Sequence, residues 1–455
     1  MSQSNTHTIT ALQTALEQGT TTAVALTEAA LARIHDPDGQ GAQTFLKVYD
    51  EAARTAAQIS DQLRALGHVR SPLEGIPVSI KDLFDVVGDR TRGASTVLNE
   101  AAPATENALL VQRLIDAGAI LIGRTNMTEF AFSGLGINPH YGTPRAPWNR
   151  AHGHIPGGSS SGAGVSVADG MCTVAIGTDT GGSVRIPAAF CGLTGFKPTA
   201  ERIPSQGVLP LSFSLDSTGP IGHSVTCCAL TDSILSGDPM PTLEPIPYQH
   251  LRLAVPKDRV LNNLDHTVAQ RINAAILALT NSGIQVERIE LPEFNQLAYI
   301  NRKGGLVCAE AWALHRDLIT EYPDRYDPRV AQRILLGKEQ SAADYIDLLA
   351  EREQWIRAVE ERLEPYDAFI MPTCPIVPPR IRDLEDEEQY FNYNALILRN
   401  PSIVNFLNGC AISLPCHPKG EAPVGLTLAA PAHHDAHLLR VAYTIEQLLQ
   451  PMLQA

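Results

Sequence analysis

The sequence is short of positive charge. Its 35 lysines and arginines face 49 aspartates and glutamates over 455 residues, a formal net charge of −14. That deficit argues against nucleic acid or an anionic membrane as the main partner, because both need a basic face. No run approaches the roughly 18 consecutive apolar residues of a membrane helix. The N-terminal stretch "MSQSNTHTITALQTALEQGT" has no apolar core of a secretory signal. The chain is therefore expected to be cytoplasmic.

Cysteine pairs are also missing. Cys172, Cys191, Cys227, Cys228, Cys308, Cys374, Cys410 and Cys416 form no C-x-x-C motif, which speaks against a zinc ribbon or a thioredoxin-type site. Most sit in apolar company, as in "MCTVAIG" and "FCGLTG", and read as buried reduced thiols. No phosphate-binding loop occurs, since "LLGKEQ" lacks both its spacing and its hydroxyl. In "HHDAH", His433 and His437 share a helical spacing, but no third zinc ligand accompanies them. Asp435 is expected to cap the terminal helix, leaving the histidines exposed. Neither metal nor cofactor is expected.

What is present is an alternation of helix and strand. Residues 8–66 read as helices, with Gly19 and Gly67 as stops. From "GIPVSI" onward strands alternate with helices: "NALLVQRLIDAGA", "ILIGR", "GAGVSVADG", "CTVAIGT", "SVRIPAAF", "LTGFK". A helix is expected over 224–236, strands at "LRLAVP" and "IQVERIEL", and mostly helix over 306–364. Strands return at "AFIMP", "CAISLP" and "VGLTLAAP" before a terminal helix. This pattern predicts an α/β fold with a large mixed, mostly parallel sheet flanked by helices on both faces. No repeat or low-complexity linker divides the chain, so one domain over 1–455 is expected. Within it, 1–66 is a helical N-terminal segment, 67–225 the core, 226–400 a variable region and 401–455 the closing strands and helix.

The stretch "GGSSSGAGVSVADGMCTVAIGTDTGGS", 157–183, has Gly-Ser clusters at both ends and an apolar middle. It reads either as two linkers around a strand or as a place where backbone comes close to something. Gly158–Gly162 matches G-x-S-x-G with Ser160 central, yet "PWNRAHGHIPG" before it cannot be the buried strand a nucleophile elbow requires. Lys81 follows "IPVSI", at the point where an α/β sheet presents side chains to a cleft. A lone strand-end lysine is usually solvated, and only its company changes that reading.

The company is specific. "GIPVSIKDLFDV" (75–86), "GAILIGRTNMTEFAFS" (118–133), "YGTPRAPW" (141–148), "PGGSSSGAG" (156–164), "GTDTGGSVRIPAAFCGLTGFKPT" (177–199), "SLDSTGP" (214–220), "NGCAISLPC" (408–416) and "PVGLTLAAP" (423–431) follow one another in order. By these motifs the chain resembles the amidase signature family of serine hydrolases. The resemblance implies a Ser–cis-Ser–Lys triad: Ser183 as nucleophile, Ser159, after a cis Gly158–Ser159 peptide, as bridge, and Lys81 as base. One position departs, Ser161, where the family commonly has glycine.

The residue types suit that chemistry. A serine hydroxyl needs a base to take its proton, and lysine serves only when neutral. Bringing a lysine from about 10.4 to roughly 7–8 costs some 4 kcal/mol, which burial beside "IPVSI" can impose. The N–H groups of Thr180, Gly181, Gly182 and Ser183 are expected to form an oxyanion hole, helped by a helix starting at Ser183. Asp179 and Arg185 are expected to pair and orient that loop, and Asp216 to order its own. Met127, Thr128, Phe130, Phe132 and Ser160 are candidates for the cleft. Tyr390, Phe391, Tyr393, Leu396 and Phe406 come from the 290–410 region expected to set specificity.

The resemblance implies hydrolysis of a small or aryl/alkyl amide through an acyl-enzyme, with a carbamate or ester hydrolase as the nearest alternative. The glutamine-hydrolysing component of a tRNA-dependent amidotransferase and a non-catalytic binding protein on the same scaffold are the others. The extra C-terminal domain of allophanate hydrolases and the membrane helix of fatty acid amide hydrolases are not expected. The expected partner is a small-molecule amide or carbamate, with no nucleic acid or membrane, in a monomer or homodimer.

Overall fold

A computed structural model describes residues 7–257 and 259–454; residues 1–6 of the polar N-terminal stretch lie outside them. The strands are β1 (Phe45–Val48), β2 (Pro77–Lys81), β3 (Ile120–Thr125), β4 (Val174–Asp179), β5 (Thr194–Lys197), β6 (Ser217–Gly222), β7 (Arg252–Pro256), β8 (Gln285–Ile289), β9 (Ala368–Pro372), β10 (Cys410–Pro415) and β11 (Gly425–Ala430). They form one eleven-stranded sheet in the order β1-β3-β2-β4-β6-β5-β10-β11-β9-β7-β8.

The inner strands are buried along their length because both faces are covered. Strand alternation divides their side chains between two cores. In β4, Val174 and Ile176 join Val78, Ile80 and Cys227 on one side. Ala175 joins Ala163, Val165 and Ala188 on the other. The helices Ser161–Ala168 and Val225–Ser236 thus cover opposite faces. The second half repeats the arrangement: Ile412 and Leu414 of β10 pack with Leu439 and Ile445 of the terminal helix, while Ala411 faces Trp355 and Phe406. Helix ends follow local chemistry. Thr22 caps Ala23–Ile34 through its side chain, and Ser341 with Asp344 forms a capping box on Ala342–Leu363.

The large mixed sheet with helices on both faces is as expected, but its pairing is not mostly parallel. Four pairings are parallel and six antiparallel. The difference lies at the centre, where β6 runs between β4 and β5. Its sequence, STGPIG, contains the glycines and proline that normally argue against a central strand. Here a Cβ on Gly219 would lie 2.0 Å from the Phe196 carbonyl oxygen, so the close strand approach requires glycine. β1, inside the stretch expected to be helical, pairs with β3 at the sheet edge. All eight cysteines are buried and unpaired.

Candidate active site

β2 and β4 lie side by side and parallel, with Ile80 opposite Ile176, so their C-terminal ends open on the same edge. Lys81 is the last residue of β2 and Asp179 the last of β4. Antiparallel β6 begins there at Ser217, which brings Asp216 to the same edge. The turn before the helix Ser161–Ala168 adds Ser159 and Ser160, and the turn after β4 adds Ser183. Parallel strands gather residues far apart in the chain at their carboxyl ends.

Lys81 is fully buried. Its Nζ donates to Ser159 Oγ at 2.7 Å and to Thr178 Oγ1 at 2.8 Å. Burial pushes its pKa down to about 7, against the opposing pull of the Asp216 and Asp179 carboxylates. The Gly158–Ser159 peptide is cis. Ser160 N–H donates to the Ser183 carbonyl oxygen at 3.3 Å, joining the two Gly-Ser turns. The expected Ser183-to-Ser159 hydroxyl hydrogen bond is not formed among the described residues.

Two glycines permit this approach. A Cβ on Gly177 would lie 2.7 Å from Ser160 Oγ, and one on Gly158 would lie 2.4 Å from the Gly136 amide nitrogen. Ser161, the position that departs from glycine, donates from its hydroxyl to the Asn126 carbonyl at 3.5 Å and leaves the Lys81–Ser159 contact intact.

Asp179 organises the turn that carries Ser183. Its Oδ1 accepts Gly182 N–H at 2.8 Å and its Oδ2 accepts Val184 N–H at 3.1 Å. Arg185 grips the same carboxylate at 3.0 and 2.9 Å, and Asn405 Nδ2 adds a bond at 2.9 Å. Arg185, foremost among the favourable partners, holds the Asp179 carboxyl well below the usual carboxylate range despite burial. Two parts of the expected oxyanion arrangement need correction. Gly182 N–H is already given to Asp179, and the helix begins at Arg185, not Ser183, with only six residues. The N–H groups of Thr180, Gly181 and Ser183 have no internal acceptor among the described residues. Asp216 accepts from Thr180 Oγ1 at 2.5 Å and from the Leu211 and Ser212 amides; burial raises its pKa to about 6.

Ser183, Thr180 and Gly181 line a cavity of about 360 Å³, within the range of small-molecule sites. A match to the family model Amidase spans residues 25–439. The chain belongs to the amidase family. It is 37% identical over 409 residues to 2-amino-5-chloromuconic acid deaminase of Comamonas testosteroni, covering 89% of this chain and 88% of that one. It is 32% identical over 469 residues to the first subunit of the glutamyl-tRNA(Gln) amidotransferase of Chloroflexus aggregans (strain MD-66 / DSM 9485), covering 95% and 94%. An amidase crystal structure superimposes with a TM-score of 0.88 at 32% identity, over 97% of this chain and 99% of the other. The amidase chain is accordingly an enzyme of amide carbon–nitrogen hydrolysis.

The cavity of this amidase selects among the residues expected to line it. Phe132 and Phe406 do so. Met127 and Phe130 do not: both pack in a core cluster, where Phe130 meets His315 edge-on at 4.4 Å. Thr128 is buried behind Ser159, donating its N–H to the Ser159 carbonyl. Ser160 is buried and donates its hydroxyl to the Thr178 carbonyl. Tyr390 is buried against Phe391; Phe391, Tyr393 and Leu396 also lie off the wall. Their helix, Glu387–Leu398, contributes only Leu398. The remaining wall includes Leu297, Asn301, Ser402 and the arginines Arg259 and Arg333, none marked by a motif.

The histidines at the C-terminal helix form no metal cluster among the described residues. His437 pairs with Asp367 at 2.8 Å and His433 with Glu201 at 3.3 Å. Asp435 is no simple cap: it is buried and takes both the amide and hydroxyl of Thr199. Among the described residues no helix is long and apolar enough to cross a membrane.

Proposed function

We propose that this amidase cleaves its substrate through a Ser183 acyl-enzyme, with Lys81 as general base acting through Ser159. The observation that carries the reading is a fully buried Lys81, with a pKa near 7, hydrogen-bonded at 2.7 Å to the serine beside the Ser183 turn. A lysine in that range is neutral often enough at physiological pH to accept a proton, and cationic often enough to return it.

Ser183 Oγ attacks the amide carbonyl carbon, and its proton passes through Ser159 to Lys81. The carbonyl π electrons move to oxygen, where the N–H groups of Thr180, Gly181 and Ser183 are available as donors. Gly182 N–H serves the loop instead, through Asp179. Collapse of the tetrahedral adduct breaks the C–N bond, and the leaving amine takes the proton from Lys81 through Ser159. Water then attacks the ester carbonyl and releases the acid, with the same groups carrying its proton. The substrate is a small-molecule amide. The deaminase relative supports a C–N bond in a small organic acid, while the amidotransferase relatives make glutamine an alternative.

Turnover by the purified chain tests this, on anilides, primary amides, glutamine and aryl carbamates. We expect hydrolysis of an amide that falls by about 10³-fold or more in Ser183→Ala. Undiminished activity in that variant would overturn the assignment. Hydrolysis confined to glutamine would move the reading to an amidotransferase component.

A further inference from the structure

The strongly acidic chain keeps unpaired cations in its cavity. Elsewhere its buried or half-buried arginines hold carboxylates: Arg124 with Asp82, Arg185 with Asp179, Arg202 with Asp232 and Arg329 with Asp327. Arg259 lines the cavity with Ser183 and has neither a carboxylate nor a hydrogen-bond acceptor among the described residues. Its Nε is buried without a partner. Beside it stands a second cation, Arg399, whose only acceptor is the Asn400 side chain and whose Nη2 is also buried and unpartnered. Both guanidinium pKa values are pushed down, by burial in each case and for Arg399 also by the charge of Arg259. Arg333, further along the wall, gives one N–H to the Phe132 carbonyl and lies over the Phe132 ring, again without a carboxylate.

Half-buried guanidinium groups that repel one another and have no counter-ion leave charge and donors unsatisfied. An anion entering the cavity resolves both, and guanidinium geometry matches a carboxylate bidentately. Arg259 is also held in the left-handed backbone region, at φ 49°, a conformation that persists at functional sites when the surroundings enforce it. Resting on the reading of Ser183 as nucleophile in this cavity, we infer that Arg259, with Arg399 behind it, is a recognition site for a carboxylate carried by the amide substrate. The natural substrate is then an amide of an organic acid, not a neutral amide. Arg333 adds a second cation to the same wall.

The test compares each acidic amide with a neutral counterpart. Glutaramate against glutaramide, and adipamate against adipamide, place the carboxylate on the acyl half. N-butyryl-β-alanine against N-butyrylpropylamine places it on the leaving half. One pair is expected to show a kcat/KM preference for the acid of about 10–100-fold, and the preferred pair tells which half carries the anion. In Arg259→Gln the acid-to-neutral ratio should fall toward one, and Arg259→Lys should restore part of it. Binding is read separately by titrating glutarate and N-butyryl-β-alanine into Ser183→Ala and Ser183→Ala/Arg259→Gln. Carboxylate binding lost with Arg259→Gln supports the site even if the chosen amides are not turned over. Equal turnover of acid and neutral amides, lost in Ser183→Ala, overturns the carboxylate site and leaves the nucleophile standing. Binding that ignores Arg259→Gln overturns it as well.

Discussion

Replacing Lys81 by methionine should inactivate the enzyme and stabilise it, and the stabilisation should fade as pH rises. Lys81 has a folded pKa of about 7 against an ordinary value of 10.5. Between those values the unfolded chain binds the proton that the folded chain lacks. Wild-type stability therefore rises with pH across this window. The penalty is full below pH 7 and absent above 10.5. At pH 7 it amounts to roughly 4 kcal/mol, and at pH 9 to about 2 kcal/mol. Methionine is of similar length and carries no charge. It abandons the bonds to Ser159 and Thr178, which returns about 1–2 kcal/mol of the gain. The net gain at pH 7 is then about 2–3 kcal/mol. For a chain of 455 residues, an unfolding entropy near 2.1 cal/mol/K per residue converts this to a Tm rise of about 2–3 °C. Calorimetry of both proteins at pH 7 and pH 9 checks it, with activity on the preferred amide alongside. The gap should shrink by about 2 kcal/mol between the two pH values. A gap that stays constant, or a variant destabilised at pH 7, would refute a depressed lysine pKa and with it a neutral Lys81 base.

The same pKa sets the rate profile. The base works only unprotonated, so kcat/KM should rise about tenfold per pH unit below about 7 and level off above it; a profile flat from pH 5 to 8 speaks against Lys81. Asp179→Asn weakens the fork that holds Arg185 and the amides of Gly182 and Val184. With Arg185 fully buried, urea unfolding should show a loss of about 3–5 kcal/mol, and a loss under 1 kcal/mol would mean the pair is not holding the turn.

Much of the catalytic edge was legible because its signals are local. A lysine at the end of an apolar strand, two Gly-Ser turns and the apolar run between them are properties of short segments. They report where backbone must be bare and where a side chain must be buried. The close approaches at Gly158 and Gly177 are the physical content of those glycines. The alternation of strands and helices likewise told that a layered α/β sheet would form.

Pairing and lining were not legible in the same way. β6 carries proline and glycine and reads as a loop, yet the approach of β5 makes it a central strand. Gly182 looked like an oxyanion donor until Asp179 was found to hold its N–H. Met127, Phe130 and Tyr390 are as aromatic or apolar as Phe132 and Phe406, and only packing decides which face the cavity. Arg259 resembles any surface arginine in sequence; what distinguishes it is the absence of an acid beside it. By itself the sequence determined the chemistry of the triad positions, because backbone freedom and residue type are local properties. The tertiary structure alone decided which charges are neutralised and which are left for a substrate, because an ion pair depends on the distance between residues that the chain order does not set.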